Sequence, residues 1–522
     1  MFGHTTVDIV HGVLSRVHTF GLDGLETRHV TVEVDVRQGL PGFVIVGLGD
    51  TAIREARERV KAAIKNSGFQ FPDRRIVANL APAWLRKNGS GFDLPIAVGI
   101  LAASGQVPAD RLETLGVYGE LSLDGSLRPC RGSLAVSQAV AEAGLDGLVL
   151  AASRAAEAAL VESVAVTGAR GLGEVARVLA GEEAGTVETA ADEGRDRSEQ
   201  PQPVVDLADI RGHAGPLEAL EVAAAGGHNL LLSGPPGTGK TMLARRLPTI
   251  LPPLSREEAV EVTRIRSIAG LRHRSGLVTE RPFRAPHHAT SASGLVGGGS
   301  TPAPGEASLA HLGVLFLDEL SEFARPALEA LRQPLEDGRV VVVRGQHAAV
   351  FPTRFVLVAA TNPCPCGYAG DGHRCRCSAA DLARHERRLS GPLLDRMDLV
   401  VDVHRPSADD LAGAPVTTSA KVQGRVRDAR ERQAHRLADT TARTNAELDG
   451  RTLRATARPD VAATEVLRAA YARGVLSARG ADRVLKVART LADLEARERI
   501  GAAHVRRALA LRMRESAEGL AA

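Results

Sequence analysis

The chain has 522 residues, of which 44% are hydrophobic and 24% are charged. This composition is typical of a folded globular protein and excludes a disordered chain or a fibre, and the length predicts roughly three domains. The net charge of +3 excludes a uniformly basic chain. No apolar run reaches the ~18–20 residues of a membrane span, and the N-terminus lacks a signal-peptide pattern. We therefore expect a cytoplasmic protein that does not bind a membrane.

The first part of the chain alternates short predicted strands with helices. Apolar, β-rich runs predict strands at 32–36, 43–47 and 75–80. An amphipathic pattern predicts a helix over 51–67, and a continuous apolar run predicts a buried helix over 94–103. These elements predict an α+β domain over residues 1–180.

Residues 181–205 differ in character from what precedes them. Between residues 181 and 203 there are seven acidic residues and only two arginines, and few residues are apolar. Such a composition cannot bury a core, so we expect a flexible acidic linker.

The rest of the chain is predicted to form two further domains. Over residues 206–408, strands alternate with helices, and short apolar runs at 229–233, 314–318 and 355–360 are typical of buried parallel strands. Residues 409–522 are predicted to form a basic, helical domain. The predicted fold class is therefore α/β.

The strongest motif lies between the strand predicted at 229–233 and a helix that includes Met242. It reads Gly234-Pro235-Pro236-Gly237-Thr238-Gly239-Lys240-Thr241. This is the spacing of a Walker A loop, whose glycines let the backbone wrap around phosphates at a helix N-terminus. Lys240 is expected to reach the β- and γ-phosphates, and Thr241 to bind Mg²⁺. The alternative, an ordinary glycine-rich turn, does not account for the full spacing.

Three further candidate functional positions follow apolar runs or lie between acidic residues. Asp318 ends the run at 314–318 and Glu319 follows it, which suits a Walker B site with Asp318 near Mg²⁺ and Glu319 polarising water. Asn362 follows the third run and is expected to orient that water, although a turn-forming Asn is an equal alternative. Arg396 lies between two acids, where spacing alone favours a surface ion pair.

The cysteines are unevenly distributed. Four of the five fall within fourteen positions, at Cys364, Cys366, Cys375 and Cys377. Four thiols suit a tetrahedral structural zinc site, with His373 as a reserve ligand; reduced thiols or a redox pair are the alternatives. Cys130 stands alone and is expected to be a small core residue. The neighbouring His287 and His288 are expected to pack or to position a loop rather than to bind metal.

Residues 206–522 resemble an AAA+ ATPase of the magnesium-chelatase type. The shared motifs include Arg-Pro-Phe-Arg-Ala-Pro-His-His at 281–288, the glycines at 297–299, Pro-Gly-Glu at 304–306, the run at 313–320, Arg-Gln-Pro-Leu-Glu at 332–336 and Asn-Pro-Cys-Pro-Cys-Gly at 362–367. With the N-terminal segment included, the whole chain resembles the ComM (YifB) family of bacterial AAA+ proteins.

This resemblance implies a homo-hexameric ring with ATP and Mg²⁺ bound between subunits. It implies that Asn362 is the sensor 1 residue, that Arg396 is an arginine finger acting on the neighbouring subunit, and that Arg479 is the sensor 2 residue. One departure from the family pattern is His213, which stands where a glutamine is usual, next to backbone expected to contact adenine.

The N-terminal domain resembles the proteolytic domain of Lon, a ribosomal-S5-like fold, through residues 87–95 and 119–125. At the positions of that family's catalytic serine and lysine, this chain has Gly91 and Val136. No lysine lies between Lys87 and Lys240. Ser90 as a nucleophile activated by Lys87 is a minor alternative. We therefore expect a non-proteolytic module that stacks rings or guides DNA.

The resemblance favours a motor that moves on single-stranded or branched DNA during recombination or uptake of foreign DNA, with recombination proteins as further partners. Residues 294–305 are expected to form a mobile pore loop, and Arg344 to lie at a hairpin tip, where it would contact phosphates. The alternative is a chelatase-like or remodelling ATPase that acts on a protein partner. An ATP-dependent protease is disfavoured by the missing dyad.

Overall fold

The computed structural model describes residues 13–47, 51–82, 91–182, 205–271, 276–299, 302–344, 347–369, 374–388, 391–474 and 476–512. Within these ranges, no helix is both long enough and apolar enough to cross a membrane. Most of the acidic segment, Ser90, Lys87 and His373 lie outside the described residues.

The N-terminal unit is built on a seven-stranded mixed sheet with the order β3-β4-β2-β1-β5-β8-β9. Its elements are β1 (Val13–Asp23), β2 (Glu26–Arg37), β3 (Gly42–Val46), α1 (Thr51–Asn66), β4 (Arg75–Ala81), α2 (Asp93–Ala103), β5 (Leu115–Val117), β6 (Glu120–Leu121), β7 (Leu127–Arg128), α3 (Ser133–Glu142), β8 (Gly147–Ala151), α4 (Ala152–Ala158), β9 (Ala165–Ala169) and α5 (Leu172–Leu179).

The strands and helices predicted here from hydrophobic periodicity are confirmed. Every residue of α2 is buried, as its continuous apolar run predicts, and Val60 and Ile64 of α1 are buried on one helix face. The β1 strand was not predicted. It pairs antiparallel with β2 along its whole length and packs against α2, so the long hairpin forms the centre of this sheet.

The middle unit contains a five-stranded parallel sheet with the order β11-β14-β17-β10-β18. Its elements are α6 (Ala214–Gly226), β10 (Leu230–Ser233), α7 (Lys240–Ile250), α8 (Arg256–Ala269), β11 (Phe283–Arg284), α9 (Ala292–Val296), β12 (Gly297–Gly298), β13 (Ala303–Pro304), α10 (Glu306–Leu309), β14 (Val314–Leu317), α11 (Arg325–Ala330), α12 (Arg332–Asp337), β15 (Arg339–Arg344), β16 (His347–Pro352), β17 (Val356–Thr361), α13 (Ala379–Arg388), α14 (Gly391–Leu394) and β18 (Leu399–Asp402).

The three strands predicted from apolar runs are adjacent in this sheet. Ser233 at the end of β10 pairs with Thr361 at the end of β17, and Leu317 at the end of β14 pairs with Ala359 of β17. All residues of these strands are buried, which explains their apolar composition. The loops that follow the three strands therefore leave the sheet at the same edge.

Two inserted segments project from this unit. The stretch expected to be a pore loop contains α9 and the two-stranded β12–β13 ribbon, so its described residues form regular structure. The β15–β16 hairpin is antiparallel, and Arg344 pairs with His347 at its last described position, as expected for a tip residue.

The C-terminal unit is helical, as predicted. It contains α15 (Ala408–Ala412), α16 (Ser419–Arg436), α17 (Gly450–Thr456), α18 (Val461–Ala472), α19 (Ala478–Leu494) and α20 (Ala502–Ala510). Its apolar side chains share one core with α6 and β10 of the parallel-sheet unit. The helical unit is thereby fixed to the sheet rather than joined to it only by the chain.

The N-terminal unit docks on α8. The Gly132 amide donates to the Ser267 carbonyl at 3.1 Å, and the Arg264 guanidinium donates to the Leu25 carbonyl at 2.6 Å. The β1–β2 turn also reaches the β15–β16 hairpin, where Leu25 packs against its buried apolar residues. The N-terminal unit thus contacts two elements of the parallel-sheet unit.

A buried charge network holds the helical unit together. Asp493, 1% exposed, accepts two hydrogen bonds of 2.7 Å from Arg436 and one of 2.9 Å from Asn445, and it lies 3.2 Å from Arg489. Because Arg489 is also buried, its charge depends on this carboxylate.

We predict that Asp493→Asn destabilises the helical unit by about 3–5 kcal/mol, because it leaves buried guanidinium groups without a counter-charge. Differential scanning calorimetry should show an unfolding transition at lower temperature. Asp482→Asn, at an exposed position of the same helix, is the control and should leave the transition within error of the unsubstituted protein. Equal shifts in the two variants would contradict the assignment.

Candidate nucleotide-binding site

The Walker A loop occupies the turn between β10 and α7. Gly237 and Gly239 have φ angles of 77° and 89°, which glycine adopts without strain. A Cβ at Gly234 would lie 2.2 Å from the Val403 carbonyl oxygen, so only glycine fits there. His213 and Met242 flank the same loop, since a Cβ at Gly239 would lie 3.8 Å from His213 Nε2 and 3.1 Å from Met242 Cε. The predicted loop residues therefore form a tight turn at the start of a helix.

Lys240 lies at the centre of this loop. Its Nζ donates to the Gly234 carbonyl at 2.6 Å, the Pro235 carbonyl at 2.8 Å and Asn362 Oδ1 at 3.2 Å. Burial lowers the pKa of Lys240, while the nearby carboxylates of Asp318 and Glu319 act to raise it. The ammonium group is thus held where an anion at the helix N-terminus would meet it.

The predicted magnesium ligands are in direct contact. Thr241 Oγ1 donates to Asp318 Oδ2 at 2.8 Å, which brings a hydroxyl and a carboxylate to one point. These are hard oxygen donors of the kind that Mg²⁺ prefers, so the pair fits the ion. Glu319 is exposed and has a φ angle of 51°, a left-handed conformation that is uncommon outside glycine and that clusters at functional sites.

Asn362 is fixed at both its side chain and its backbone. Its amide oxygen accepts from Lys240, and its carbonyl oxygen lies 2.9 Å from Nε2 of the buried His385. The structure therefore places the predicted sensor 1 residue beside the Walker A lysine.

Arg396 and Arg479 lie elsewhere in the molecule. Both line a cavity of about 1270 Å³ between the parallel sheet and the helical unit, and none of the Walker A residues lines it. Arg396 is 7% exposed and forms an ion pair with Glu336. Burial lowers the pKa of Arg396, and the charges of Arg332, Arg483 and Arg479 lower it further. This arginine cluster (Arg332, Arg396, Arg479 and Arg483) brings four guanidinium groups near one another, with Glu336 paired to Arg396 and Asp398 paired to Arg483.

Asp398 holds one member of the arginine cluster in place. Arg483 donates to Asp398 Oδ1 at 2.9 Å, and His228 Nδ1 lies 3.2 Å from Oδ2. Burial acts to raise the pKa of Asp398, but His228 and Arg483 outweigh it and lower the pKa to about 2. The carboxylate is therefore ionised at neutral pH and orients the guanidinium of Arg483.

The four clustered cysteines meet beside the Walker A loop. Their sulfur atoms all lie within 4.8 Å of one another, and all four are free thiols. Cys130 packs against a separate apolar cluster, as expected, and burial raises the pKa of its thiol to about 12.

Several residues at these sites were not predicted from the sequence. His288 Nδ1 lies 3.9 Å from Glu319 Oε2, although the histidine pair was expected only to pack or to position a loop. Glu336, Asp398 and Arg483 were not singled out. Glu336 ends a motif already noted at 332–336, and Asp398 is one of the two acids noted beside Arg396, so both had a signal in the sequence; Arg483 had none in isolation.

Comparison with known families covers most of the chain. The family described as magnesium chelatase, subunit ChlI, matches residues 206–411. The family described as subunit ChlI of Mg-chelatase matches residues 32–154, and its C-terminal family matches residues 416–512.

Individual relatives extend this similarity to nearly the full length. An uncharacterized protein of Mycobacterium tuberculosis is 46% identical, covering 96% of this chain and 98% of its own length. The competence protein ComM of Haemophilus influenzae is 41% identical, covering 96% of this chain and 97% of its own. The Holliday junction branch migration complex subunit RuvB of Paenarthrobacter aurescens is 33% identical over 34% of this chain and 44% of its own. The chain belongs to the ComM (YifB) family of magnesium-chelatase-type AAA+ ATPases.

Proposed function

We propose that the chain hydrolyses ATP in a homo-hexameric ring and uses the energy to move along DNA. One observation carries the ring arrangement: Arg396, Arg479 and Arg483 line a cavity that no residue of the Walker A loop of the same chain lines. Each nucleotide site is therefore completed by arginines of the adjacent subunit.

The residues around Lys240 have separate parts in the proposed reaction. The loop amides and Lys240 bind the phosphates, and Thr241 and Asp318 hold Mg²⁺. The ion supplies charge neutralisation on the transferred phosphoryl group. Glu319, whose exposed carboxylate neighbours His288, accepts a proton from the attacking water. Asn362, held by Lys240, orients that water.

The arginine cluster acts on the neighbouring subunit in this proposal. Arg396 stabilises the charge that develops on the γ-phosphate, and Arg479 from the start of α19 contacts the same nucleotide. In this step Arg396 exchanges its ion pair with Glu336 for the phosphate of the neighbouring site. Nucleotide state is thereby transmitted from one subunit to the next.

DNA is the proposed track of the motor. The partial similarity to RuvB, named for branch migration at Holliday junctions, and the full-length similarity to ComM, named for competence, both support this substrate and a role in recombination or DNA uptake. The β15–β16 hairpin is the proposed contact, with Arg344 at its tip neutralising backbone phosphates.

A protein client is the second candidate. The outer face of the same hairpin carries exposed Val341, Val343 and Val350, an apolar strip that would suit an extended protein segment. The magnesium-chelatase family matches are compatible with such a client.

The N-terminal unit is proposed to be a non-proteolytic, Lon-like support. A Cβ at Gly91 would lie 2.4 Å from the Tyr118 ring, so a serine is not accommodated at that aligned position. Val136, at the aligned lysine position, is fully buried. The unit instead contacts α8 and the hairpin, which suits a role in positioning them.

We predict that Lys240→Ala loses ATP binding and that Glu319→Gln binds ATP but hydrolyses it at least about 10²-fold more slowly, because only the second variant keeps the phosphate contacts. Fluorescent-nucleotide titration and phosphate release would measure the two steps. Phosphate release by Lys240→Ala at the rate of the unsubstituted protein would refute the assigned site.

We predict that Arg396→Ala retains ATP binding and loses turnover by about 10³-fold or more, as for an arginine finger. Arg384→Ala, at an exposed position of α13, is the matched control and should be fully active. Mixing Arg396→Ala with Lys240→Ala should restore some hydrolysis, because one subunit supplies the arginine and the other the loop. No recovery from a mixture shown to co-assemble would argue against action between subunits.

We predict that single-stranded or forked DNA stimulates the ATPase at low salt and that stimulation falls as salt rises, because phosphate contacts release counterions. Arg344→Ala at the hairpin tip should weaken the stimulation, while Arg339→Ala at its base should not. If DNA neither binds nor stimulates at low salt, the protein-client function is favoured instead.

A further inference from the structure

We propose that Cys364, Cys366, Cys375 and Cys377 bind one zinc ion and that this ion holds the segment after Asn362 against the Walker A loop, so that zinc occupancy governs nucleotide binding. The segment comprising residues 364–369 and 374–377 is called the cysteine knuckle below. The inference rests on the proposed nucleotide site for its second half only.

The sulfur positions match tetrahedral coordination. The Sγ atom of Cys364 lies 3.3 Å from that of Cys366 and 3.9 Å from that of Cys375, and the Cys366–Cys375 distance is 3.8 Å. A tetrahedron with Zn–S bonds of about 2.3 Å has sulfur–sulfur edges of about 3.8 Å. A disulfide needs about 2.05 Å. Cys377 Sγ lies within 4.8 Å of the other three, so the four sulfurs converge at distances suited to a metal rather than to a covalent pair.

The cysteine cluster is partly buried and accepts a hydrogen bond from a backbone amide. The Ala369 amide donates to Cys364 Sγ at 3.2 Å, and Cys364 is fully buried. The Arg374 guanidinium lies 5.9 Å from the centre of the Tyr368 ring, a contact that joins the two halves of the knuckle. Four converging sulfurs, one of them buried, would repel one another as thiolates if no cation were present. A bound divalent ion removes that cost.

The knuckle touches the nucleotide site from two directions. Asn362, which accepts from Lys240, precedes the first ligand Cys364 by two residues. Gly367 lies against the Walker A loop, since a Cβ built there would be 2.7 Å from Pro236 Cδ. The Gly367 amide donates to the Cys364 carbonyl at 2.9 Å, so this contact is tied to the first ligand.

The consequence is a mechanical link between metal and nucleotide. With zinc bound, the position of Cys364 is set by the three other sulfurs, and the positions of Asn362 and Gly367 follow. Without zinc, the four sulfurs lose their common ligand, and the fit of Gly367 against Pro236 is weakened.

The metal content of the purified protein tests whether the four cysteines bind zinc. Protein purified without added metal should contain about one zinc per chain by plasma mass spectrometry. Cys375→Ser combined with Cys377→Ser should contain none, whereas Cys130→Ser, the matched control, should keep one. Cobalt(II) in place of zinc should give the visible absorption bands of a tetrahedral thiolate site. Folded protein with no zinc and no cobalt bands would overturn the proposal.

Nucleotide affinity tests whether zinc occupancy governs nucleotide binding. Removing zinc from the unsubstituted protein with a chelator should weaken binding of a fluorescent ADP analogue by about tenfold or more, and adding zinc back should restore it. Gly367→Ala should also bind the analogue more weakly, because its Cβ would lie 2.7 Å from Pro236 Cδ and because alanine is strained at the φ angle of 86° found there; the zinc content of this variant is measured alongside. Because chelation acts on the assembled protein, a folding defect of a cysteine variant does not obscure the result. Unchanged affinity in both experiments would overturn the link.

The two proposals fail in distinguishable ways. If the chain binds one zinc and the ADP analogue but does not hydrolyse ATP, the proposed motor is wrong and the zinc site stands. If Lys240→Ala abolishes hydrolysis as expected while zinc-free protein binds nucleotide normally, the motor stands and the link is wrong.

Discussion

The nucleotide site depends on one constraint: the register of three adjacent parallel strands. Because β14, β17 and β10 pair in parallel, Asp318, Asn362 and the Walker A loop all follow strand ends at the same edge of the sheet. The Lys240–Asn362 and Thr241–Asp318 contacts are consequences of that register. A slip of one residue in β17 would move Asn362 away from the lysine and would turn its buried neighbours to the opposite face.

The same sheet separates the phosphate-binding residues from the arginine cluster. Strand β18 lies on the other side of β10, and Arg396 and Asp398 immediately precede it. Asp398 in turn anchors Arg483 of α19, so the helical unit and the sheet together build the arginine cluster. In the proposed ring, this cluster would meet the Walker A loop of the neighbour. A single subunit then carries the phosphate-binding half of one site and the arginine half of another.

The N-terminal unit and the cysteine knuckle contact the parallel-sheet unit from outside the sheet. The N-terminal unit contacts α8 and the β15–β16 hairpin, which places it beside the segment that follows the Walker A helix. The cysteine knuckle contacts the loop itself through Gly367. The N-terminal unit thus contacts the proposed substrate-contacting hairpin, and the knuckle brings the proposed zinc site against the nucleotide site.

The sequence alone determined the local elements and the phosphate-binding chemistry. Buried strands need continuous apolar runs, and a phosphate loop needs glycines at set positions, so both leave contiguous patterns; four cysteines within fourteen positions do likewise. Tertiary structure decided which distant groups meet. His228 and Asp398 are 170 positions apart, and Gly367 and Pro236 are 131 apart, so no periodicity reports their contact. The placement of Arg396 with Arg479 and Arg483, away from the Walker A loop of the same chain, likewise follows only from how the helical unit packs on the sheet.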